Sequence, residues 1–459
     1  MTTFYIEQFG CRATQADGAA IERQLRERGF SPSPDSANAD VIVINTCTVT
    51  AAADSQARDA IRKFHAANSA SHIIVTGCYA QRAPEELAAL PGVSFVVGNS
   101  HKPQIPRLVT EISGRPLFPA LWLQSETLSD DKILTGDIFQ ITDVLVAPVL
   151  GGEGNHTRPT LKIQDGCDSR CSFCVIPFVR GKSRSLPPHT VIAEIQKLAD
   201  SGYREIVLSG INLGTYGRDL SPRCEFEDLL HRILDETSVE HLRISSIEPL
   251  DVTRDLVALF ASTARLAPHF HMPLQAASDR ILAAMRRWYR AEHYARRVEL
   301  IHEVLPHAAI GADVITGFPG ETEQDHEATL RFIEDRPFSY LHVFSYSSRP
   351  STKAATLPNA NMREVIQHRA RELRALSEAK IAAFRRSHAG RTLRALTLRR
   401  NPAREERTTP ALSSNYISFH LPALLPPNQF VHVEVQPSGD FILLAAPVSA
   451  AGVIQTPQP

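Results

Sequence analysis

From Phe4 to Gly98 the chain alternates short apolar, β-branched runs with longer amphipathic stretches. Phe4–Gly10, Asp40–Thr46, His72–Gly77 and Ser94–Gly98 read as strands. Gly18–Arg28 (stopped by Gly29), Asp54–Ala67 and Pro84–Leu90 read as helices. Strands that are apolar on both faces and alternate with helices predict a parallel sheet covered on both sides. The alternation resumes at Thr160, with strands over Thr160–Gln164, Glu205–Ser209, His241–Ile247, His269–Leu274, Ile310–Thr316 and Tyr340–Tyr346. Helical patterns fall between them at His189–Ser201, Phe226–Glu236, Thr253–Ala261, Asp279–Leu305 (two helices) and Thr322–Asp335. Six strands with right-handed helical crossovers predict a partial β/α barrel. Met362–Ser387 reads as a long Arg-rich helix, and Leu393–Pro447 as short strands and turns forming a small β-barrel-like module. The fold class is α/β. Lys102–Pro159, rich in Pro, Ser, Asp and Gly, reads as a connector; Ile138–Leu145 within it reads as one strand, and the rest of Leu117–Leu150 stays unassigned.

The cysteines stand at telling places in this pattern. Cys167, Cys171 and Cys174 form a C-x3-C-x2-C triplet directly after the strand Thr160–Gln164, at the end of a barrel strand where such folds build active sites. Three closely spaced thiolates hold three corners of a 4Fe–4S cluster and leave the fourth iron to a ligand that is not protein. The plainer alternatives are three buried thiols or a zinc knuckle, but structural zinc takes four protein ligands and no further Cys or His follows closely. An open iron of this kind can chelate the amino and carboxylate groups of S-adenosylmethionine. Cys11, Cys47 and Cys78 each come directly after a predicted strand. The carboxyl ends of parallel strands line the crevice where open α/β sheets bind ligands, so these three thiols gather at one edge. Gly10 and Gly77 precede two of them and permit close approach of a bulky cofactor. A single such Cys would read as a small buried hydrophobe; three at equivalent positions point to a second cluster. Cys224 matches no ligand position and reads as a spare surface thiol.

Charge changes the picture further. The net charge of −1 over 459 residues conceals a segment, Arg363–Arg407, with 13 Lys+Arg against 5 Asp+Glu. That local +8 leaves about −9 for the remainder (−1 minus +8). Arg286, Arg287, Arg290, Arg296 and Arg297 lie on one helical pattern, and Arg180, Lys182 and Arg184 follow the triplet. Such concentration fits either a phosphate-binding surface or solvated helix faces. No apolar run approaches the roughly 20 residues of a membrane span. Met1–Tyr5 carries neither a basic nor an apolar leader region, so the expected setting is cytoplasmic, with reduced thiols and no membrane partner.

With Phe173 before its last Cys, the triplet resembles the radical-SAM signature. Cys11, Cys47 and Cys78 upstream of Cys167, Cys171 and Cys174 resemble the methylthiotransferases of that superfamily over nearly the whole chain. Ile176–Gly181, Leu208–Gly214, Arg243–Pro249, His271–Gln275, Asp313–Glu321 and His342–Ser347 resemble the branch that methylthiolates N6-threonylcarbamoyladenosine at position 37 of tRNA. The resemblance implies an N-terminal cluster domain over 1–106, a linker over 107–153, a radical-SAM barrel with its basic helix over 154–388, a TRAM-like RNA-binding module over 389–447 and a tail over 448–459. It implies two 4Fe–4S clusters, S-adenosylmethionine, the tRNA anticodon loop as partner and an electron donor such as flavodoxin or ferredoxin. The barrel cluster would generate a 5′-deoxyadenosyl radical able to take hydrogen from adenine C2, the second cluster would carry or supply sulfur, and a second S-adenosylmethionine the methyl group. Phe173, Ser209 and Gly210 would contact S-adenosylmethionine; Ser246, Glu248 and Gln275, at strand ends, would face its ribose or the substrate. His269, His271, Trp288 and Tyr346 are candidates for stacking on bases, or ordinary packing residues.

The chain departs from the family pattern in places. Thr14 precedes Gln15 where the family has Asn, and Ala276-Ala277 stands where Ser-Gly is usual. Pro422, Pro426 and Pro427 mark a divergent C-terminal module. The rival readings are a methylthiotransferase for isopentenylated adenosine or for a ribosomal-protein aspartate, and, from another class, a non-catalytic iron–sulfur RNA-binding redox sensor.

Overall fold

Val41–Thr46 is buried at every position, as a β-branched strand in the middle of a two-sided sheet must be. The computed structural model describes residues 2–114, 132–145, 148–149, 157–400, 407–436, 444–449 and 452–453. The chain divides into two compact units. The first is Met1–Val149 with Lys162–Ser185 and Ser347–Ala355; the second is Leu150–Leu161 with Leu186–Tyr346 and Thr356–Pro459.

In the first unit, β1 (Thr3–Gln8), β2 (Ser31–Pro32), β3 (Val41–Thr46), β4 (His72–Gly77), β5 (Val93–Gly98) and β6 (Ile133–Leu134) form one sheet in the order β2-β1-β3-β4-β5-β6. Every pairing is parallel. Ile42, Ile44, Ile73 and Val75 pack one face against Ala57, Ile61 and Phe64 of the helix Ala51–Ala67. Val41, Val43, Ile74 and Val97 pack the other against Ile21, Leu25, Ile105 and Leu108. Each fully buried Val or Ile contributes about 1.5–3 kcal/mol, which makes these two layers the main stabilisation of the unit.

The structure corrects three sequence expectations here. The first helix begins at Arg12, not Gly18, and runs to Glu27. Its opening turns hold small or polar residues, so the apolar pattern misses them, yet Thr14 and Asp17 are buried. The expected helix Pro84–Leu90 is found as Pro84–Ala88, but a short helix absent from the sequence reading, Cys78–Arg82, stands before it; Pro84 cannot continue the first and opens the second. Ile138–Leu145 is not a strand. Ile138–Gln140 is a single 3-10 turn whose start is capped by the Asp137 carboxylate, which accepts from the Phe139 amide at 2.9 Å. Most of the unassigned stretch Leu117–Leu150 lies outside the described residues.

The second unit continues the β/α alternation. Glu205–Ser209 and His241–Ile244 are parallel neighbours, and His269–Gln275, Ala309–Thr316 and Tyr340–Ser345 form a parallel trio. Isolated parallel bridges Leu242–Leu266 and Ser246–His271 link the two sets. The helices Pro188–Asp200, Phe226–Glu236, Arg254–Ser262, Asp279–Ala284, Ala291–Val304 and Glu323–Glu334 fall within a residue or two of expectation, and the basic helix spans Arg363–Arg386. The arginines 286–297 do not share one helix, because Arg286 turns left-handed (φ +57°) between two of them. Thr392–Thr397, Thr409–Ser413, Ser418–Leu421, Phe430–Gln436 and Leu444–Ser449 pair antiparallel in series. A bridge between His420 and Leu444 closes the series on itself around Phe419, Leu421, Val433 and Val435. Among the described residues no helix is long and apolar enough to cross a membrane.

Candidate metal and cofactor site

Cys11, Cys47 and Cys78 are delivered by β1, β3 and β4, neighbours in register. Cys11 is the N-cap of the helix Arg12–Glu27 and is exposed; Cys78 opens the helix Cys78–Arg82 and, like Cys47, is buried. Burial pushes the Cys47 thiol up to about 12, and the neighbouring Cys78 and Cys11 sulfurs add to that shift, so the three form one electrostatic group. Ligation by a metal centre is what deprotonates such a set. The backbone leaves the sulfurs room and nothing more. Gly10 has φ +101°, and a Cβ there would stand 2.7 Å from the Cys47 Sγ; Gly77 has φ +100°, with a Cβ 2.3 Å from the Thr46 carbonyl. Thr14 is buried with its Oγ1 3.6 Å from the Cys11 Sγ, so the departure from Asn still places a polar group beside this thiol. Asn99 donates to the Cys78 Sγ at 3.6 Å. Behind Cys47, Thr48 donates to Asp54 at 2.6 Å, and Arg82 and Arg349 close on the same carboxylate at 3.1 and 2.8 Å.

Cys167, Cys171 and Cys174 belong to the same unit but to one continuous loop. The loop leaves from the two-residue strand Gln164–Asp165 and returns through Arg184–Ser185, its antiparallel partner. It is clamped by the Cys167 amide donating to the Gly181 carbonyl (3.1 Å) and the Cys174 amide to the Cys171 carbonyl (3.2 Å). At Gly166, φ +71°, a Cβ would sit 1.9 Å from the Lys182 carbonyl. All three thiols are half-buried, as is Phe173 beside them. Both sets therefore offer three soft donors on a braced backbone, the donor chemistry a 4Fe–4S cluster requires.

Sequence reasoning missed a group of buried charges in this unit. Asp17 accepts from Lys102 at 2.7 Å, from Arg180 at 3.0 Å and from Lys162. Asp165 accepts from Lys162 at 2.7 Å and Arg180 at 2.9 Å. Burial alone would raise both carboxyls, but the surrounding cations override it and hold them well below the usual range. Together with Arg184 these side chains line a cavity of about 270 Å³. Arg180 and Arg184 are thus internal ion-pair residues and not phosphate contacts. The sequence signal was slight: Asp17 lies on the polar side of an apparent loop, and Lys102 in an apparent connector.

In the second unit the other named residues stand at strand ends. Ser209 is buried at the end of its strand, followed by Gly210. Ser246 and Glu248 follow His241–Ile244, and Gln275 is buried in a left-handed conformation, φ +64°, at an irregularity of its strand. Burial raises the Glu248 carboxyl although Arg287 is ion-paired to it. Asp313 bonds His271 at 2.9 Å and His342 at 3.3 Å across three adjacent strands. His269 is stacked on Tyr416 with ring centroids 4.2 Å apart, Tyr346 packs on Phe318, and His271 is buried. The two histidines are thus buried and Tyr346 is half-buried. Trp288, 77% exposed, is the most exposed of the four. Cys224 is a free thiol and half-buried.

Residues 3–98 match the model of Uncharacterized protein family UPF0004, and residues 161–333 that of the Radical SAM superfamily. The threonylcarbamoyladenosine tRNA methylthiotransferase MtaB of Aquifex aeolicus is 37% identical over 90% of this chain and 95% of its own. The chain belongs to the radical-SAM methylthiotransferase family. MtaB of Bacillus subtilis is 37% identical over 82% of this chain and 81% of its own. A tRNA-2-methylthio-N(6)-dimethylallyladenosine synthase of an Arthrobacter strain is 32% identical over 98% of this chain and 85% of its own. Among solved structures, the radical S-adenosylmethionine methyltransferase TsrM of Kitasatospora setae covers 77% of both chains with a TM-score of 0.57 at 16% identity, a likeness of fold.

Proposed function

We propose that this protein methylthiolates C2 of N6-threonylcarbamoyladenosine at position 37 of tRNA. The observation that carries the proposal is the pairing, in one unit, of two independent three-thiol sets in a chain 37% identical to an MtaB over nearly its full length. When bound, a 4Fe–4S cluster and S-adenosylmethionine supply radical chemistry able to take hydrogen from an unactivated C–H such as adenine C2, and a second cluster supplies a place to hold sulfur.

The chain's own residues do the holding. Cys167, Cys171 and Cys174 are the ligands of the radical-generating cluster; Cys11, Cys47 and Cys78 are those of the sulfur-handling one. Gly10 and Gly77 keep the space over Cys47 and Thr46 clear. Phe173, Ser209 and Gly210 are assigned to S-adenosylmethionine, and Ser246, Glu248 and Gln275 to its ribose or the substrate. The buried, left-handed Gln275 supports its part, because such strain at a strand end is characteristic of functional positions. The assigned domains are 1–106 for the second cluster, 154–388 for the (β/α)6 barrel and basic helix, and 389–447 for a TRAM-like module. The antiparallel series of the last, closed by a parallel bridge, supports that reading. Arg363, Arg371, Arg374 and Arg386, exposed on the basic helix, are assigned to tRNA phosphates. A flavodoxin or ferredoxin is the proposed electron donor.

Mass spectrometry of tRNA nucleosides from cells lacking the protein tests the assignment. Loss of the methylthio group from threonylcarbamoyladenosine alone is expected. Loss from the dimethylallyl nucleoside would move the protein to that branch, and unchanged tRNA would overturn the proposal.

A further inference from the structure

The charged network in the first unit does not balance by itself. Among the described residues, Lys102, Lys162, Arg180 and Arg184 face Asp17 and Asp165, four buried cations against two buried carboxylates; Asp143, which lines the same cavity, is exposed. Uncompensated charge at such depth is costly, so a partner of opposite sign is required. The thiols stand next to this network: Arg180 donates to the Thr14 Oγ1 at 3.5 Å, which lies 3.6 Å from the Cys11 Sγ, and Asn99, on the same 3-10 helix as Lys102, donates to the Cys78 Sγ at 3.6 Å. As ligands of a cluster the thiols are thiolates, and the assembly carries net negative charge that grows by one on reduction.

We propose that this ion network is the built-in counter-charge of the Cys11, Cys47 and Cys78 centre, with Lys102 and Arg180 as positioning cations that raise its reduction potential. The inference rests on the reading of those thiols as cluster ligands. It explains why Asp17 stands two turns from Cys11 on the same helix, and why Arg180 carries bonds to Asp17, Asp165 and Thr14 at once. A cation fixed beside the cluster favours its reduced form most, because that form holds the larger negative charge.

The test uses the full chain with C167A, C171A and C174A, so that any cluster detected is the N-terminal one. Iron content and an EPR-monitored redox titration are then compared for this parent, for added Lys102→Met and for added Asp17→Asn. Lys102→Met is expected to lower the midpoint, making reduction at least tenfold less favourable (about 59 mV for a one-electron couple). Asp17→Asn, which removes a negative charge from the same network, is expected to raise it. A purely structural role moves both variants the same way. Shifts of one sign, midpoints unchanged within twofold, or loss of iron from both variants would overturn the inference alone. Loss of iron from Lys102→Met only, with Asp17→Asn loaded and its midpoint raised, is the expected result in stronger form. A parent without iron would overturn the cluster reading and this inference with it.

Discussion

The two thiol sites of the first unit are built on opposite plans. Cys11, Cys47 and Cys78 follow the ends of three separate strands and meet only when β1, β3 and β4 pair in register. Cys167, Cys171 and Cys174 lie within eight consecutive residues of one loop, tied by local backbone bonds. The first site is therefore a product of the sheet and is mostly buried; the second is a product of a turn and half-exposed. A global device gives rigidity and exclusion of water, which suits holding a reactive sulfur. A local loop leaves one face open, which suits a site that must admit a cofactor.

Separating the two sites chemically gives the largest effect. Cys171→Ala is expected to abolish reductive cleavage of S-adenosylmethionine while leaving iron at the N-terminal set. Cys47→Ala is expected to retain that cleavage and lose the methylthio product entirely. Equal loss of both activities in both variants would show that the sites are not independent.

Gly10→Ala comes next. The residue would need φ +101° and would press its Cβ to 2.4 Å from that of Cys47. Backbone strain alone costs about 1–3 kcal/mol, and the contact adds to it. Iron at the N-terminal set is expected to fall several-fold, with iron at the triplet unchanged; full loading of both sites would refute the close-approach argument.

The same contrast explains what could be read from the chain. Strand positions in β3 and β4 and the triplet itself are local patterns, and the sequence reveals them directly. The convergence of three strand-end thiols needed one added step, the rule that parallel strands end at a common edge. The charges of Asp17, Lys102 and Lys162 gave no such signal. A buried ion pair leaves no periodicity, and its partners stand as far apart as 145 residues. The first turns of the helix Arg12–Glu27 were lost for a related reason: an apolar-period search has little to detect in a turn whose buried members are the small Ala13 and Ala16 and the polar Thr14 and Asp17.

Acid titration sharpens the comparison at smaller cost to the fold. Asp17 and Asp165 are held well below the ordinary carboxylate range in the native state, so the unfolded chain takes up protons first as pH falls. Their stabilisation is complete above the unfolded carboxylate pKa, about 4, and is lost as pH drops below it. Chemical denaturation of the iron-free protein should show a steep decline in stability there. Asp165→Asn should be less stable at neutral pH and should show a shallower acid decline; an unchanged slope would place the acid sensitivity elsewhere.

The smallest effect lies outside both thiol sites. Trp288 is 77% exposed, between the exposed Arg286 and Arg290, and makes no contribution to a core. A large ring held in water beside two guanidinium groups is suited to stacking on an unpaired base, which contributes about 1–3 kcal/mol per base. Trp288→Ala should therefore leave iron content, stability and cleavage of S-adenosylmethionine at parent levels while weakening tRNA binding about tenfold. Trp288→Phe, which keeps an aromatic face, should recover most of the affinity. Equal binding by all three proteins would remove this ring from the tRNA surface and leave the exposed arginines of the helix Arg363–Arg386 as the substrate contacts of the second unit.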